Sequence, residues 1–232
     1  MQYAHDNDYL KKEKAPVRNF TLPPMNYKLL ESMRIYLESR GLRHDVAMSN
    51  GWYPSMIRGE ARVVIRSTSK RYPELNFWQA RSMVDASELR YDSPKGNRAD
   101  ALGIVRGASS HRFCLVVTEG PMDALAAAAI PGMDGVCTFG KNPSALQLEH
   151  LSHLTQQYSF VILVPDSDSP EFVGIIINAL SYHPHVDVLM LEQFKDLASV
   201  PSDKREDLMN AIVSSNVVDD GTTFAKGEVN TW

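Results

Sequence analysis

The chain has 232 residues, of which 44% are hydrophobic, so it is long and apolar enough to build a substantial core. Its two cysteines, Cys114 and Cys137, lie inside apolar runs, which excludes a disulfide framework and a cysteine-based zinc site, and no zinc is expected. No apolar run approaches the ~20 residues of a membrane span, and the N-terminus is polar and charged, so we expect a cytoplasmic protein without a membrane partner.

The net charge of -4 conceals an uneven distribution of charge along the chain. Residues 58–112 contain 11 Lys and Arg against 6 Asp and Glu, whereas residues 113–200 contain 2 against 10. A basic segment followed by an acidic one predicts a surface for a polyanion beside carboxylates that could hold cations. Ordinary surface charge is the alternative, and the charge counts alone favour it.

The N-terminal part of the chain predicts a flexible arm followed by a small α+β subdomain. Residues 1–24 lack apolar periodicity and end in two prolines, which is typical of an extended arm. Apolar residues at helical spacing then predict a helix that stops at Gly41. Two β-rich runs, 62–67 and 76–84, predict an antiparallel hairpin. Residues 25–111 are therefore expected to form a smaller, basic subdomain.

Between residues 112 and 200, apolar runs alternate with helical segments. The predicted strands are 113–118, 135–139, 160–165 and 186–191, and the predicted helices between them are 122–130, 143–158 and 171–182. The second of these helices has Asn142 and Pro143 at its cap and first-turn positions. This alternation predicts an α/β fold, in which a parallel sheet with strand order 2-1-3-4 is flanked by helices. Residues 201–232 are expected to form a C-terminal helix and a tail.

Acidic residues follow the ends of these predicted strands. Glu119 follows the first strand and Asp196 follows the fourth. Asp166 and Asp168 follow the third. Ligands bind outside the carboxyl ends of parallel strands where the connections diverge, so Glu119 and Asp166 meet there if their strands are neighbours. Oxygen-only ligands favour Mg²⁺ or Mn²⁺. Each of these acidic residues alone is more typical of a helix start or a surface turn. Only their order after successive strands of one α/β domain indicates a metal site.

In this order the acidic motifs resemble the TOPRIM domain that primases, topoisomerases and related nucleases share. TEGPMDALA resembles its Glu-Gly motif, CTFGKN its second strand and glycine, and VPDSDS its Asp-x-Asp motif. QFKDLASV is similar to the Lys-Asp segment that follows the fourth strand in primases. The resemblance implies that Glu119, Asp166 and Asp168 are catalytic and metal-binding, with Asp196 as a further metal ligand. The supporting residues that it implies are Gly120, Asp123, Gly140 and Lys195.

The segment upstream resembles the basic subdomain of bacterial and phage primases. RVVIRSTS, NFWQARSM and LRYDSPKGNRADALGIV follow the order and spacing of that subdomain. The resemblance implies a DNA primase core that lacks zinc-binding and helicase parts and makes short RNA primers with Mg²⁺ or Mn²⁺, in the bacterial host cytoplasm if phage-encoded. The implied partners are a single-stranded DNA template, ribonucleoside triphosphates, and a replicative helicase or other replisome protein. The implied nucleotide- and DNA-binding residues are Arg62, Arg81, Lys95 and Arg98.

Two other functions remain open from the sequence. A TOPRIM nuclease would use the same metal site for hydrolysis, although it would not need the basic subdomain. A non-catalytic replisome component that binds single-stranded DNA would not need the acidic residues that this chain retains. A topoisomerase is disfavoured because the chain lacks room for the large domains that carry its nucleophilic tyrosine.

Overall fold

The sheet nearer the N-terminus has four strands in sequential order. The computed structural model describes residues 21–67, 77–94 and 101–216, and in it each of these strands pairs antiparallel with the next. The strands are β1 (Tyr53–Ile57), β2 (Glu60–Ser67), β3 (Phe77–Ser82) and β4 (Tyr91–Asp92). Pairing of β2 with β3 confirms the predicted hairpin. The sequence pattern does not predict β1, because Pro54 interrupts the run, and a proline is tolerated here since β1 is an edge strand.

Two α-helices of the described residues precede this sheet, α1 (Leu30–Glu38) and α2 (His44–Ser49). The apolar residues that predict α1 form its buried face, since Met33, Tyr36 and Leu37 are all buried. The chain leaves the helix through Gly41, whose φ of 64° lies in the left-handed region that glycine adopts without strain. The prediction of a helix ending at Gly41 is therefore confirmed.

The second sheet has five strands in the order β5-β7-β6-β8-β9. They are β5 (Gly103–Val105), β6 (Cys114–Thr118), β7 (Met133–Cys137), β8 (Phe160–Val164) and β9 (Val186–Val188). The parallel strands β6 to β9 confirm the predicted order 2-1-3-4. β5 pairs antiparallel with β7, although it lies before the boundary predicted at residue 112. A three-residue strand is too short for its pattern to be recognised in the sequence.

Four helices accompany the second sheet, and they are α3 (Pro121–Ala128), α4 (Ala145–Thr155), α5 (Pro170–Ala179) and α6 (Ser202–Asn216). The predicted cap of α4 at Asn142 and Pro143 is wrong. Ser144 caps the helix instead, because its hydroxyl accepts the Gln147 amide while the Gln147 side chain accepts the Ser144 amide. Among the described residues, no helix is both long and apolar enough to cross a membrane.

Apolar clusters cover both faces of the parallel sheet, as predicted. On one face, Leu115 and Val117 of β6 pack with Leu151 of α4 and Phe172 of α5. The other face belongs to a larger cluster that also contains residues of α1, α2 and the first sheet. The rings of Phe77 and Phe139 make an edge contact within it, with centroids 5.1 Å apart. The two sheets therefore share one core, which fixes the first sheet beside the carboxyl ends of the parallel strands.

Candidate active site

Glu119 lies where the connections from β6 and β8 diverge. It directly follows the end of β6, it is only 7% exposed, and its Oε1 accepts the backbone N–H of Asp166 at 3.2 Å. Its own carbonyl accepts the Gly140 N–H at 3.0 Å, which joins the end of β6 to the segment after β7. The meeting of Glu119 and Asp166 predicted from the strand order is therefore present in the structure.

Burial and like charge raise the pKa of both carboxylates. Burial raises the pKa of Glu119 to about 6, and the neighbouring charge of Asp166 adds to this effect. The pKa of Asp166 is raised by burial and then by the charges of Asp196 and Asp168. Lys195 and Arg90 oppose that rise. Mutual repulsion between carboxylates is relieved by a cation, so this electrostatic state suits a site for a hard metal ion.

Asp123 and Asp196 form the second acidic pair of the site. Asp123 lies in the first turn of α3, and its Oδ1 accepts the Ala198 N–H at 2.8 Å. Burial and the charge of Asp196 raise its pKa to about 7. Asp196 caps the short helical turn Leu197–Ser199, where one of its oxygens accepts the Ser199 N–H at 2.8 Å. Asp196 therefore has a structural role in addition to lining the same cleft as Asp123.

Asp168 occupies a different position from the other acidic residues. It is exposed, and it does not line the cleft that Glu119, Asp166 and Asp196 share. Within the described part of the chain, no three His, Cys, Asp or Glu side chains converge into a ready group for a metal ion. The acidic residues instead surround the end of the sheet, with oxygen donors of the type that Mg²⁺ prefers.

A cleft of about 860 Å³ is lined by an acidic wall from the second sheet and its loops, with Glu119, Asp123, Asp166 and Asp196, and by a basic wall from the first sheet. Arg81 of β3 lies in that wall, where its Nε donates to the Tyr36 hydroxyl at 3.1 Å and its guanidinium lies 4.8 Å from the centre of the Tyr91 ring. These two contacts hold Arg81 in one orientation. Arg90 lines the same wall and is exposed, so its side chain is free to follow a bound ligand. A cleft that combines carboxylates with arginines suits a phosphate ligand that carries metal ions.

Of the other predicted basic residues, the structure describes only Arg62. Arg62 does not line the cleft, because its side chain on the inner strand β2 is buried to 1% exposure. Its guanidinium pairs with Glu60 at 2.6 Å and donates to the Leu89 carbonyl at 2.8 Å, so it fastens the first sheet together. Lys95 and Arg98 lie outside the described residues.

The predicted supporting residues all line the cleft. Gly120 caps α3, and a Cβ atom there would lie 2.9 Å from the Asp123 carboxylate. Gly140 has a φ of 145° and turns the chain after β7. The carbonyl of Lys195 accepts the Ser167 N–H at 3.0 Å and so ties the Asp196 segment to the loop after β8.

Sequence reasoning missed three arginines of the cleft, Arg40, Arg90 and Arg205. Arg90 stands in a polar turn without a motif of its own. Arg205 of α6 is 2% exposed and donates to carbonyls of two separate segments that line the cleft, reaching Gly41 at 2.6 Å and Ala198 at 2.7 Å. Its place in a charged helix gives no sign of this role, which only the folded chain creates.

The sequence matches no protein-family model and no curated protein. The structure, however, matches solved primases. The primase fragment of the bacteriophage T7 primase-helicase superposes with a TM-score of 0.58 at 18% identity, over 76% of this chain and 72% of that one. The DnaG primase catalytic domain bound to single-stranded DNA has a TM-score of 0.58 at 18% identity, over 79% and 71% of the two chains. The chain shares the fold of these primase domains.

A primase domain from Pseudomonas aeruginosa extends the likeness, with a TM-score of 0.57 at 17% identity over 79% of this chain and 71% of that one. Phage and bacterial primases thus share this fold with the chain. At identities below 20%, the likeness concerns the fold alone, and the roles of individual residues depend on the geometry of the cleft.

Proposed function

We propose that the chain is a DNA primase, a nucleotidyltransferase that joins ribonucleotides into short RNA primers on single-stranded DNA. The observation that carries this proposal is the cleft, in which Glu119, Asp166 and Asp196 face Arg81 and Arg90 on a primase fold. A polymerase must hold a triphosphate and its metal ions beside a template. A cleft with an acidic wall and a basic wall meets both needs in one place.

The acidic wall fits Mg²⁺ or Mn²⁺ by its donor chemistry. Glu119 and Asp166 would hold the ion where β6 and β8 end, and Asp196 and Asp168 would join them if the loops that carry them moved closer. When bound, the metal ion supplies activation of the attacking 3′-hydroxyl and neutralisation of the leaving pyrophosphate. The raised pKa values of Glu119 and Asp166 describe carboxylates that a cation would stabilise in their charged form.

The basic wall would bind and orient the phosphates. Arg81 is fixed between Tyr36 and Tyr91, so it offers guanidinium donors in a set direction and loses little side-chain freedom on binding. Arg90 is exposed and would close on the ligand. For both, the planar guanidinium suits bidentate contact with phosphate oxygens.

The proposed partners follow from the same neighbours. The DnaG catalytic domain has been solved with single-stranded DNA, which supports such a template for this chain. The T7 fragment belongs to a primase-helicase, which supports a replicative helicase as a further partner. Ribonucleoside triphosphates are the substrates that the proposed reaction requires.

The deciding experiment is incubation of the full chain with single-stranded DNA, labelled ribonucleotides and Mg²⁺ or Mn²⁺. Labelled oligoribonucleotides that require both template and divalent cation are expected from wild type and none from Asp166→Asn. Glu31→Gln, an exposed acid on α1 that does not line the cleft, is the matched control and should synthesise normally. Shortened DNA without RNA products would instead indicate a TOPRIM nuclease. DNA binding without either product would indicate a non-catalytic replisome component.

A further inference from the structure

A second polar pocket, of about 360 Å³, lies at the opposite edge of the parallel sheet from the cleft. Its position follows from the strands, because Arg112 precedes β6, Asp134 stands near the start of β7 and Tyr158 precedes β8. The residues that line it are Arg106, Ser110, Arg112, Gln157 and Tyr158. Two arginines, a serine, a glutamine and a tyrosine thus surround one concave space.

The buried carboxylate of Asp134 organises this pocket. Asp134 is 0% exposed, and its oxygens accept the Tyr158 hydroxyl at 2.7 Å, an Arg106 guanidinium N–H at 2.8 Å and the Gly107 N–H at 2.7 Å. Arg106 also donates to the Tyr158 hydroxyl. Burial and the hydrogen bond to Asp134 raise the pKa of Tyr158, so its hydroxyl stays protonated. The charge of Asp134 is therefore balanced by Arg106 and satisfied by three donors.

Arg106 is held in place through its main chain as well. The Asn50 side chain accepts the Arg106 N–H at 2.7 Å and donates to the Arg106 carbonyl at 2.9 Å. Gly107 allows the chain to pass close to the start of β7, because a Cβ atom there would lie 2.4 Å from the Met133 carbonyl oxygen. The wall that carries Arg106 is thus fixed before any ligand arrives, which lowers the entropy cost of binding.

Arg112 is a second arginine that is not required to balance the charge of Asp134. Its guanidinium is 3.7 Å from Asp134, beyond hydrogen-bonding distance, and this is its only ion pair within the described residues. Asp134 already has three donors and one balancing charge, so the second arginine leaves the pocket with a net positive charge. At 38% exposure, the Arg112 side chain stays accessible to a ligand from solvent.

We propose that this pocket binds a phosphate group, carried either by a free phosphate or nucleotide or by the backbone of a nucleic acid strand. Arg112 would make the main charge-assisted contact, with Arg106, Ser110 and Gln157 as further donors. A pocket of this size lies within the range of small-ligand sites. The inference is independent of the function proposed for the cleft, since the two sites lie at opposite edges of the sheet.

Backbone amide NMR of the full chain during titration with inorganic phosphate tests the proposal, because it reports on each site separately. Saturable shifts of the Ser110 and Gln157 amides are expected in wild type, and affinity at these amides should fall at least about tenfold in Arg112→Gln. Arg34→Gln is the matched control, since Arg34 is an exposed arginine balanced by Glu31 and Glu38. It should titrate like wild type. Shifts of Gly120 and Ala198 alone would place the bound phosphate in the cleft and overturn the proposal.

The same titration with a short single-stranded oligonucleotide identifies the source of the phosphate. Shifts of Ser110 and Gln157 at lower concentration than with inorganic phosphate assign the pocket to a nucleic acid backbone. Shifts with inorganic phosphate alone assign it to a free phosphate or nucleotide. If neither probe moves these two amides, or if Arg112→Gln responds as wild type does, the pocket is only a structural link between Asp134 and the loop before β6.

Discussion

Glu119 combines burial, like charge and a structural hydrogen bond in one side chain. It is 7% exposed, beside Asp166, and accepts the Asp166 amide, so its ionised form is costly in the metal-free protein. The same features would hold its oxygens ready for a cation. A residue of this kind is expected to trade stability for function.

Replacement of Glu119 by glutamine tests this trade. Glu119→Gln keeps an acceptor for the Asp166 amide but removes the charge, so the melting temperature should hold or rise without divalent cations. Primer synthesis in Mg²⁺ should fall by at least about 100-fold. Template-dependent incorporation and thermal melts measure the two effects, with Glu31→Gln as control. Synthesis close to the wild-type rate would remove Glu119 from the proposed metal site.

The raised pKa of Asp123 should make the stability of the fold depend on pH. Its pKa in the folded protein is about 7, above the ordinary 3.8, so the folded state binds more protons than the unfolded state between those values. Stability should therefore fall as pH rises through that window. Asp123→Asn keeps an acceptor for the Ala198 amide and removes the charge. It should melt about 2–5 °C above wild type at pH 8 and show a flatter dependence on pH.

Melting curves between pH 5 and 8 without divalent cations measure this effect. The dependence should become flatter but not vanish, because the pKa of Glu119 is also raised. If Asp123→Asn melts below wild type at pH 8, the ionised Asp123 carboxylate stabilises the fold. The raised pKa assigned to Asp123 would then be wrong.

At the residue scale, the sequence predicts the acidic wall better than the basic one. Glu119 and Asp166 follow apolar strands closely, so the strand order alone brings them together. The resemblance to primases assigns Arg62 to the nucleotide- and DNA-binding residues, but its side chain is buried on the inner strand β2. Arg40, Arg90 and Arg205 have no such marker, because turns and charged helices contain many similar residues.

At the element scale, the contact between α3 and β7 depends on one glycine. A Cβ atom at Gly135 would lie 2.0 Å from the Ala124 carbonyl oxygen in the backbone of α3, so neither element can yield easily. Gly135→Ala is therefore expected to lower the free energy of unfolding by about 3 kcal/mol. The helix carries Asp123 in its first turn, so the acidic wall of the cleft depends on this packing.

Gly174→Ala is the matched control for this prediction. Gly174 lies within α5, and a Cβ atom added there would meet nothing within 4 Å beyond its own stretch of helix, so alanine should stabilise the protein by about 0.5–1 kcal/mol. Denaturant unfolding of both variants measures the two changes, which should have opposite signs. Equal effects of the two substitutions would mean that α3 can move away from β7.

Long apolar patterns explain which elements the sequence predicts. The parallel strands and their helices alternate in long apolar runs, and right-handed crossovers restrict their order. β1 contains a proline, and β5 has three residues, so neither produces a clear pattern. β5 joins the sheet because its partner β7 leaves an edge open, which depends on the tertiary fold.

At the scale of the whole molecule, the uneven charge of the sequence becomes a cleft with two unlike walls. Arg40, Arg81 and Arg90 come from the basic N-terminal part, and the carboxylates come from the acidic part. A shared core holds the two walls in register. A nucleic acid strand that enters this cleft must release counterions as its phosphates meet the arginines, so its affinity must depend on salt.

Single-stranded DNA binding is therefore expected to weaken steeply as salt rises, with little dependence on base sequence, because phosphate contacts position a strand without reading it. Arg90→Gln removes one exposed cation from the basic wall, so it should lower affinity and reduce the slope of log K against log salt by about 0.7. Arg34→Gln makes the same charge change on a doubly paired surface arginine and should leave the slope unchanged. Fluorescence anisotropy of a labelled oligonucleotide over roughly 50 to 300 mM salt, a range that spans the onset of strong screening, measures both slopes. Equal slopes for wild type and Arg90→Gln would place the DNA-binding surface away from this wall. Equal losses of affinity in Arg90→Gln and Arg34→Gln would mean that the overall charge of the protein, and not the cleft, governs binding.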